Sequence, residues 1–485
     1  MGNGGKNSIG KNVFHLFYST AFSSGLNALT LILLAHYLES HSYGMLSVAL
    51  AFALIMGYFT DAGISVGVLR EGSKKGIHLS AVISSYIKIR VVLLGITFAA
   101  GFFLIQLLYQ NQPDLVKIMY CLIFPMVTGL AMQSISITYF QLVEEMQHLG
   151  MIRICSAVLL VVSISLGMLF SLQPNVVCFL YGCSYLLAGM GGIYLMSKRV
   201  VICFKSVFHK ELLKNILSFI ISGLLIVILP QLGPIILEKT LTLQQVGFFA
   251  VAYRIPSALY QIPGILAGAF YPALFKSYNN KGMTEHLQLH MVQIKLMGLT
   301  GMAMTIPLYY MPEMIIGSLF GEKWMFAASA LRVLSFLLVL QSINVALADG
   351  LTTKDLQSRR TIVQAAAVAG GVGFYIFLSG QYGIEGAAFA GVSVEILSLA
   401  GFWLLNPARK TLAIKVLFPY LGSFAVLFSV FTYFAPARPV LAAALHLFCL
   451  FVILAADSEL TQKLTGMTRK KHSAAEREVK NETSS

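Results

Sequence analysis

Charge is scarce in this chain. Asp, Glu, Lys and Arg supply 11% of its 485 residues, whereas 57% are hydrophobic. A soluble globule with a polar surface cannot be assembled from that balance. Cysteine is also sparse: Cys121, Cys155, Cys178, Cys183, Cys203 and Cys449 lie in or beside apolar runs, without the spacing of a metal site, and read as reduced packing residues. The ten-residue alternation of a closed β-barrel is absent. So are a Walker A sequence and a nucleophilic triad in a supporting context, which argues against ATP hydrolysis and catalysis. The polar start MGNGGKNSIGKN leads into an apolar run without an A-x-A site, so this run is expected to be a retained helix rather than a signal peptide.

What the chain has in abundance is apolar runs of membrane-crossing length, about 20 helical residues each. They recur from Val13 almost to the end, and the fold class they predict is an all-α polytopic membrane protein. Helices are expected near 13–37, 45–68, 83–109, 116–140, 151–171, 175–196, 214–237, 246–272, 291–319, 327–350, 361–379, 384–405, 413–434 and 437–456, about fourteen in all. The expected organisation is an N-terminal lobe over 1–200 (helices one to six) and a C-terminal lobe over 201–407 (helices seven to twelve). Two additional helices over 408–457 and a basic, disordered cytoplasmic tail over 458–485 follow.

Loop charge gives the orientation. With both tails and the loops after even-numbered helices on one side, nearly all loop Lys and Arg fall there, and the opposite loops hold only Lys117, Lys239, Lys323 and Arg438. The positive-inside rule then places both termini of this multi-pass protein in the cytoplasm. The net charge of +14 is mostly this bias, so the expected partners of the basic loops are anionic lipids and not nucleic acid.

The halves echo each other. HSYGMLSVAL at helix two matches QQVGFFAVAY at helix eight, which aligns Gly44 with Gly247; SYIKIRVVLLG matches VQIKLMGLTG, which aligns Lys88 with Lys295. Duplicated halves with a path between them are a transporter design.

Particular motifs carry a family resemblance. YLESHSYGMLSVALAF, FTDAGISVGVLRE, QQVGFFAVAYRIPSALYQIPGILAGAFYPAL, LFGEKWMFAASALRVLSF and QYGIEGAAFAGVSVEILS occur in that order. This pattern resembles Wzx-type polysaccharide flippases of the multidrug/oligosaccharidyl-lipid/polysaccharide exporter superfamily. Where members often carry an Asp in helix seven, LPQLGPIIL has Gln231, Gly233 and Pro234. The resemblance implies a transporter, not an enzyme, that moves a polyprenyl-diphosphate-linked oligosaccharide outward by alternating access. It needs no cofactor, although coupling to H+, Na+ or the membrane potential is open. Glycosyltransferases and the polymerase of the same pathway would be its neighbours. The alternatives are a cation-coupled multidrug antiporter of the same superfamily or a membrane polysaccharide polymerase. The latter needs a large outer loop that this layout lacks.

Ionisable residues inside such helices are costly, ~2.5 to 3.5 kcal/mol at a helix centre on the insertion scale, so each needs a reason. Arg254, deep in AVAYRIPSALYQIPG, reads as a substrate cation for a diphosphate or as half of a structural pair. Lys88, Arg90 and Lys295 read as cations snorkelling to headgroups or as substrate contacts at the inner mouth. Asp61 is placed to pair with a cation on helix three or with the Arg70 turn, as a gate or as a static brace. Glu395, in AFAGVSVEILSLAGFW, is a coupling candidate. Glu238, Arg332 and Asp349 lie at helix ends, where a solvated position is expected.

Overall fold

The computed structural model describes residues 4–74, 78–202, 208–213, 216–434, 438–458 and 460–461. Every regular element among them is helical. In chain order these are α1 Gly4–Tyr37, α2 Ser40–Phe59, α3 Ile64–Gly72, α4 Leu79–Tyr109, α5 Pro113–Leu142, α6 Met146–Leu169, α7 Pro174–Ser197, α8 Ile216–Ile228 and α9 Leu232–Thr240. Then come α10 Leu243–Leu259, α11 Gln261–Lys281, α12 Met283–Tyr310, α13 Pro312–Phe320, α14 Ala327–Leu334, α15 Phe336–Thr352, α16 Gln357–Leu404, α17 Arg409–Leu412, α18 Phe418–Phe434 and α19 Pro439–Ala456. The tail from 462 on, Cys203 and part of the 198–214 connector lie outside the described residues.

Thirteen of the helical stretches are long and apolar enough to cross a membrane. One of them, Gln357–Leu404, has 48 residues, about 72 Å if straight and more than twice the ~30 Å of hydrocarbon. Gly383 interrupts it with φ 60 and ψ −133, a conformation that only glycine adopts readily. Two spans therefore lie in this stretch, which gives the fourteen expected.

Several expected single helices are broken. The stretch 45–68 ends at Phe59 and restarts at Ile64, because Ala62 (φ 48) and Gly63 (φ 76) adopt left-handed backbone that no helix contains. Helix seven tightens into a 3-10 turn at Leu229–Gln231, around Pro230. The helix expected over 246–272 divides between α10 and α11 at Tyr260, four residues after Pro256.

By contact the chain forms two compact units: Met1–Gln261 with Ile316–Ala330 and Gln364–Val394, and Ile262–Ile315 with Leu331–Val363 and Glu395–Ser485. In the first unit α2 crosses α10 at a point where neither backbone tolerates a side chain. A Cβ on Gly44 would drive into the carbonyl oxygen of Leu243, and one on Gly247 into that of Ser40. The offset of 203 residues that aligns the two glycines also aligns Ser40 with Leu243. The contact is thus reciprocal, as expected of two repeats related by a local two-fold axis.

Two cations that run against the loop-charge pattern have structural roles here. Lys323 donates to the carbonyls of His36 (2.8 Å) and Leu38 (3.2 Å), and the buried Trp324 indole donates to Ala35 (2.9 Å), so the pair caps the C-terminal end of α1. Lys239 donates to Leu108 (2.8 Å) at the end of α4. Cations are favoured at helix C-termini, where unpaired carbonyls collect.

Candidate functional site

In the first unit, the break between α2 and α3 holds Asp61 away from helical pairing and turns it toward α4. Tyr86 and Arg90, four residues apart on one face of α4, both reach it. Arg90 Nη1 donates to Asp61 Oδ1 at 3.1 Å and the Tyr86 hydroxyl to the same oxygen at 2.9 Å, while Ser65 donates to Oδ2 at 2.7 Å. Arg90 is 2% exposed, and its Nη2 donates to the Ala131 carbonyl of α5 at 2.9 Å. Its Nε has no partner. A cavity of about 430 Å³ adjoins the pair, lined among others by Tyr58, Asp61, Arg90, Ser134, Pro230 and Gln231. The helix-seven segment that lacks an Asp therefore contributes a proline and an amide to this cavity.

Of the two partners open to Asp61, the structure selects Arg90. Arg70 turns instead to Glu71 (3.1 Å), which Lys74 also contacts. Snorkelling is overturned for two of the three cations assigned to it. Arg90 is buried against Asp61, and Lys295, 6% exposed, lies 2.8 Å from Asp457 in the second unit. In both cases an internal carboxylate lies within ion-pair distance, and a partly desolvated carboxylate attracts a cation more strongly than solvated headgroups do. Lys88 is half-buried on α4, two residues from Arg90 and so on another face.

Arg254 stands differently. It lies on α10, ten residues after Gln244, and among the described residues it has no acidic partner. Its surroundings are phenols: Tyr43 of α2, whose hydroxyl faces the Leu31 carbonyl at 3.4 Å, and Tyr181 and Tyr185 of α7, stacked at 5.9 Å, all lie within reach of its charge. The guanidinium Nε is buried without a partner. Hydroxyls solvate a guanidinium without neutralising it, so the positive charge remains for another anion.

Two carboxylates of the second unit, Glu395 and Asp349, are held by side-chain amides. Glu395 accepts from Gln341 (3.0 Å) and Asn344 (2.7 Å), both on α15. Asp349 accepts from Gln293 of α12 at 2.9 Å. Asp349 at 6% exposure and Glu238 at 6% are buried, contrary to the solvated helix-end expectation. Glu238 is held by Gln112 (2.6 Å) and Lys239 (3.1 Å). Arg332 meets that expectation: it is exposed and pairs with Glu313 at 2.7 Å. Tertiary packing decided these cases, since all three lie within two turns of a helix end.

Sequence reasoning missed the tyrosines around Arg254 and the histidines His286 and His290. Two signals were present, the i, i+4 pairs Tyr181/Tyr185 and His286/His290, but each had no named partner until the fold supplied one.

Comparison with known structures defines the class of the fold. The chain is similar to the lipid II flippase MurJ in an inward closed conformation, with a TM-score of 0.67 and 13% identity over 91% of this chain and 99% of that one. It is also similar to an inward-facing multidrug resistance transporter of the MATE family in the MOP superfamily (TM-score 0.60, 15% identity, 84% of this chain and 96% of that one). A MOP-superfamily transporter from Pyrococcus furiosus gives a TM-score of 0.57 and 18% identity over 81% and 94%. The chain shares the fold of these three structures. A family profile described as polysaccharide biosynthesis protein matches residues 9–278, more than half of the chain, and the chain belongs to that family. No curated protein sequence matches it.

Proposed function

We propose that this protein moves a polyprenyl-diphosphate-linked oligosaccharide from the inner to the outer leaflet of a bacterial cytoplasmic membrane by alternating access, with both termini in the cytoplasm. The observation that carries the reading is Arg254, a cation in an apolar helix that lies among three tyrosines and has no ion pair to a carboxylate among the described residues. An anion of phosphate type meets that arrangement well: it accepts the guanidinium fork and the phenolic protons together. Glycan hydroxyls, each costing several kcal/mol if left unpaired in hydrocarbon, need the same polar surroundings. Outward movement of an anion gains ~2.3 kcal/mol per charge per 100 mV of inside-negative potential, so the membrane potential is a sufficient drive.

In this reading Asp61 and Arg90 form a lock beside the cavity. A diphosphate that engages Arg90 competes with Asp61 for it, and a ligand shifts conformations only through such differential contacts. Lys88 and Lys295 are supplementary cations, and glycosyltransferases and the polymerase of the pathway are the expected partners. The test is complementation of a strain lacking its own flippase, scored as surface glycan with protein level measured by blot. Arg254→Ala is expected to give folded membrane protein and no glycan. Normal glycan from that variant would remove the residue from the mechanism.

A further inference from the structure

The second unit contains a buried polar cluster that the lock and Arg254 leave unused. His286, His290 and Gln293 of α12 are fully buried and face Asp349 and the Thr353–Lys354 turn at the end of α15, themselves 1% to 6% exposed. Hydrogen bonding fixes the tautomers. His290 Nε2 lies 2.9 Å from the Ala346 carbonyl, which only accepts, so Nε2 carries the proton and Nδ1 presents a lone pair. Thr353 spends its hydroxyl proton on the Asp349 carbonyl (2.9 Å), so His286 Nε2, 2.8 Å from that hydroxyl, must donate to it, and Nδ1 again presents a lone pair. Gln293 gives its amide N–H to Asp349, which leaves Oε1 as an acceptor. All three acceptors, His286 Nδ1, His290 Nδ1 and Gln293 Oε1, are buried without a partner, and so is the Lys354 ammonium.

Unpaired acceptors beside an unpaired donor are what internal water satisfies, because water serves both. The arrangement is built: a Cβ at Gly350 would collide with the His290 ring, so a glycine is required directly after Asp349. A resident metal ion fits poorly. Imidazole lone pairs are poor ligands for the hard monovalent and divalent cations, the Lys354 charge opposes a further cation, and among the described residues no three metal-ligating side chains converge. A proton carried by water meets neither objection.

We propose that Asp349 is a proton-exchange site of this transporter, reached by water held along His286, His290 and Gln293. The step is a proton transfer: a hydronium ion in the water chain gives its proton to Asp349 Oδ1, which has no donor among the described residues, so one O–H bond of hydronium breaks as the carboxyl O–H forms and neutral water remains; release is the reverse. The groups that act on this carboxyl are Gln293 by hydrogen bond, Arg360 and Tyr271 through space, and the His286, His290 and Lys354 cluster beside it. Arg360 itself donates to Thr352 at 3.1 Å. Proton binding here would tie the state of the second unit to pH, and its use in coupling rests on the transport reading above.

Infrared difference spectroscopy on the full-length protein in lipid nanodiscs, without glycan substrate, tests the proposal. A protonated-carboxyl C=O band should titrate with pH, shift in D2O, and disappear in Asp349→Asn, which can keep the Gln293 hydrogen bond. It should persist in Arg254→Ala and Glu395→Gln, so failure of the diphosphate reading and failure of this one are separable. Gln293→Leu, which removes the hydrogen bond to the carboxyl, should move the titration midpoint. A band unchanged in Asp349→Asn would overturn the proposal. If that variant does not fold, an unmoved midpoint in Gln293→Leu would do the same.

Discussion

Two arginines in the first unit, Arg90 and Arg254, occupy membrane helices and have opposite surroundings. Arg90 is 2% exposed and held by a carboxylate at 3.1 Å, a tyrosine-buttressed knot in which every charge has its counter-charge inside the protein. Arg254 lies among phenols and forms no ion pair among the described residues. The difference teaches how to read a cation in a membrane helix. Internal pairing marks a residue whose loss leaves an uncompensated carboxylate, and its absence marks a residue whose counter-ion comes from outside. Lys295, 2.8 Å from Asp457, belongs with Arg90 in this respect.

The comparison is broken most easily at Arg90. Arg90→Ala should destabilise the protein by ~3 kcal/mol, the lower end for a broken internal pair because Asp61, 18% exposed, loses its counter-charge but keeps some solvent, whereas Arg254→Ala should leave stability nearly unchanged. Thermal unfolding of both purified variants checks this, and adding Asp61→Ala to Arg90→Ala should recover part of the loss. Equal unfolding temperatures for the two single variants would erase the distinction.

A smaller effect is expected at the glycine crossing that brings Tyr43 to Arg254. Gly44→Ala and Gly247→Ala each force α2 from α10, and overpacking of this kind costs about 1 to 3 kcal/mol. Because the contact is reciprocal, the two losses should match within error; a large asymmetry in unfolding temperature would contradict the local two-fold relation. Tyr43→Phe removes one neutral partner of Arg254, a change of ~0.5 to 1.5 kcal/mol, so transport should fall by roughly three- to tenfold with folding intact. Undiminished transport would show that the hydroxyl does not serve the guanidinium.

The smallest effect concerns pH and the third cation. Burial opposes the charge of Asp457, but hydrogen bonds from Lys295, Tyr420 and the Leu460 amide outweigh it and hold that carboxyl below the usual aspartate range. A depressed carboxyl contributes stability that is complete above the unfolded value, ~3.9, and is lost as pH falls through the folded one. Packing of α19 on α12 should therefore loosen only in acid, seen as amide exchange in α19, and Lys295→Met should abolish that acid step. An acid step retained in Lys295→Met would assign it elsewhere.

Much of this architecture was legible in the sequence, and the reasons are specific. Fourteen apolar runs, the boundary near Gly383, the placing of Arg254 inside an apolar helix and a helix-three cation as one of two candidate partners of Asp61 follow from the cost of polar groups in hydrocarbon, a local property of the chain. The break at Ala62–Gly63 was not legible. An alanine with φ 48 is imposed by the surrounding fold, and an apolar run hides the interruption because both flanks remain hydrophobic. The tyrosines around Arg254 and the histidines beside Asp349 were not legible for a related reason. Membrane helices are apolar on every side, so periodicity does not tell which residues face one another, and Tyr43 and Arg254 are over two hundred residues apart.

The most direct test of the central claim is transport by Arg254 variants in proteoliposomes containing a polyprenyl-diphosphate-linked oligosaccharide, with outer-leaflet glycan measured against time. Arg254→Ala should abolish movement and Arg254→Lys restore a fraction, since an ammonium keeps the charge and loses the bidentate fork. Wild-type rates in Arg254→Ala, with the protein folded and correctly inserted, would contradict the account.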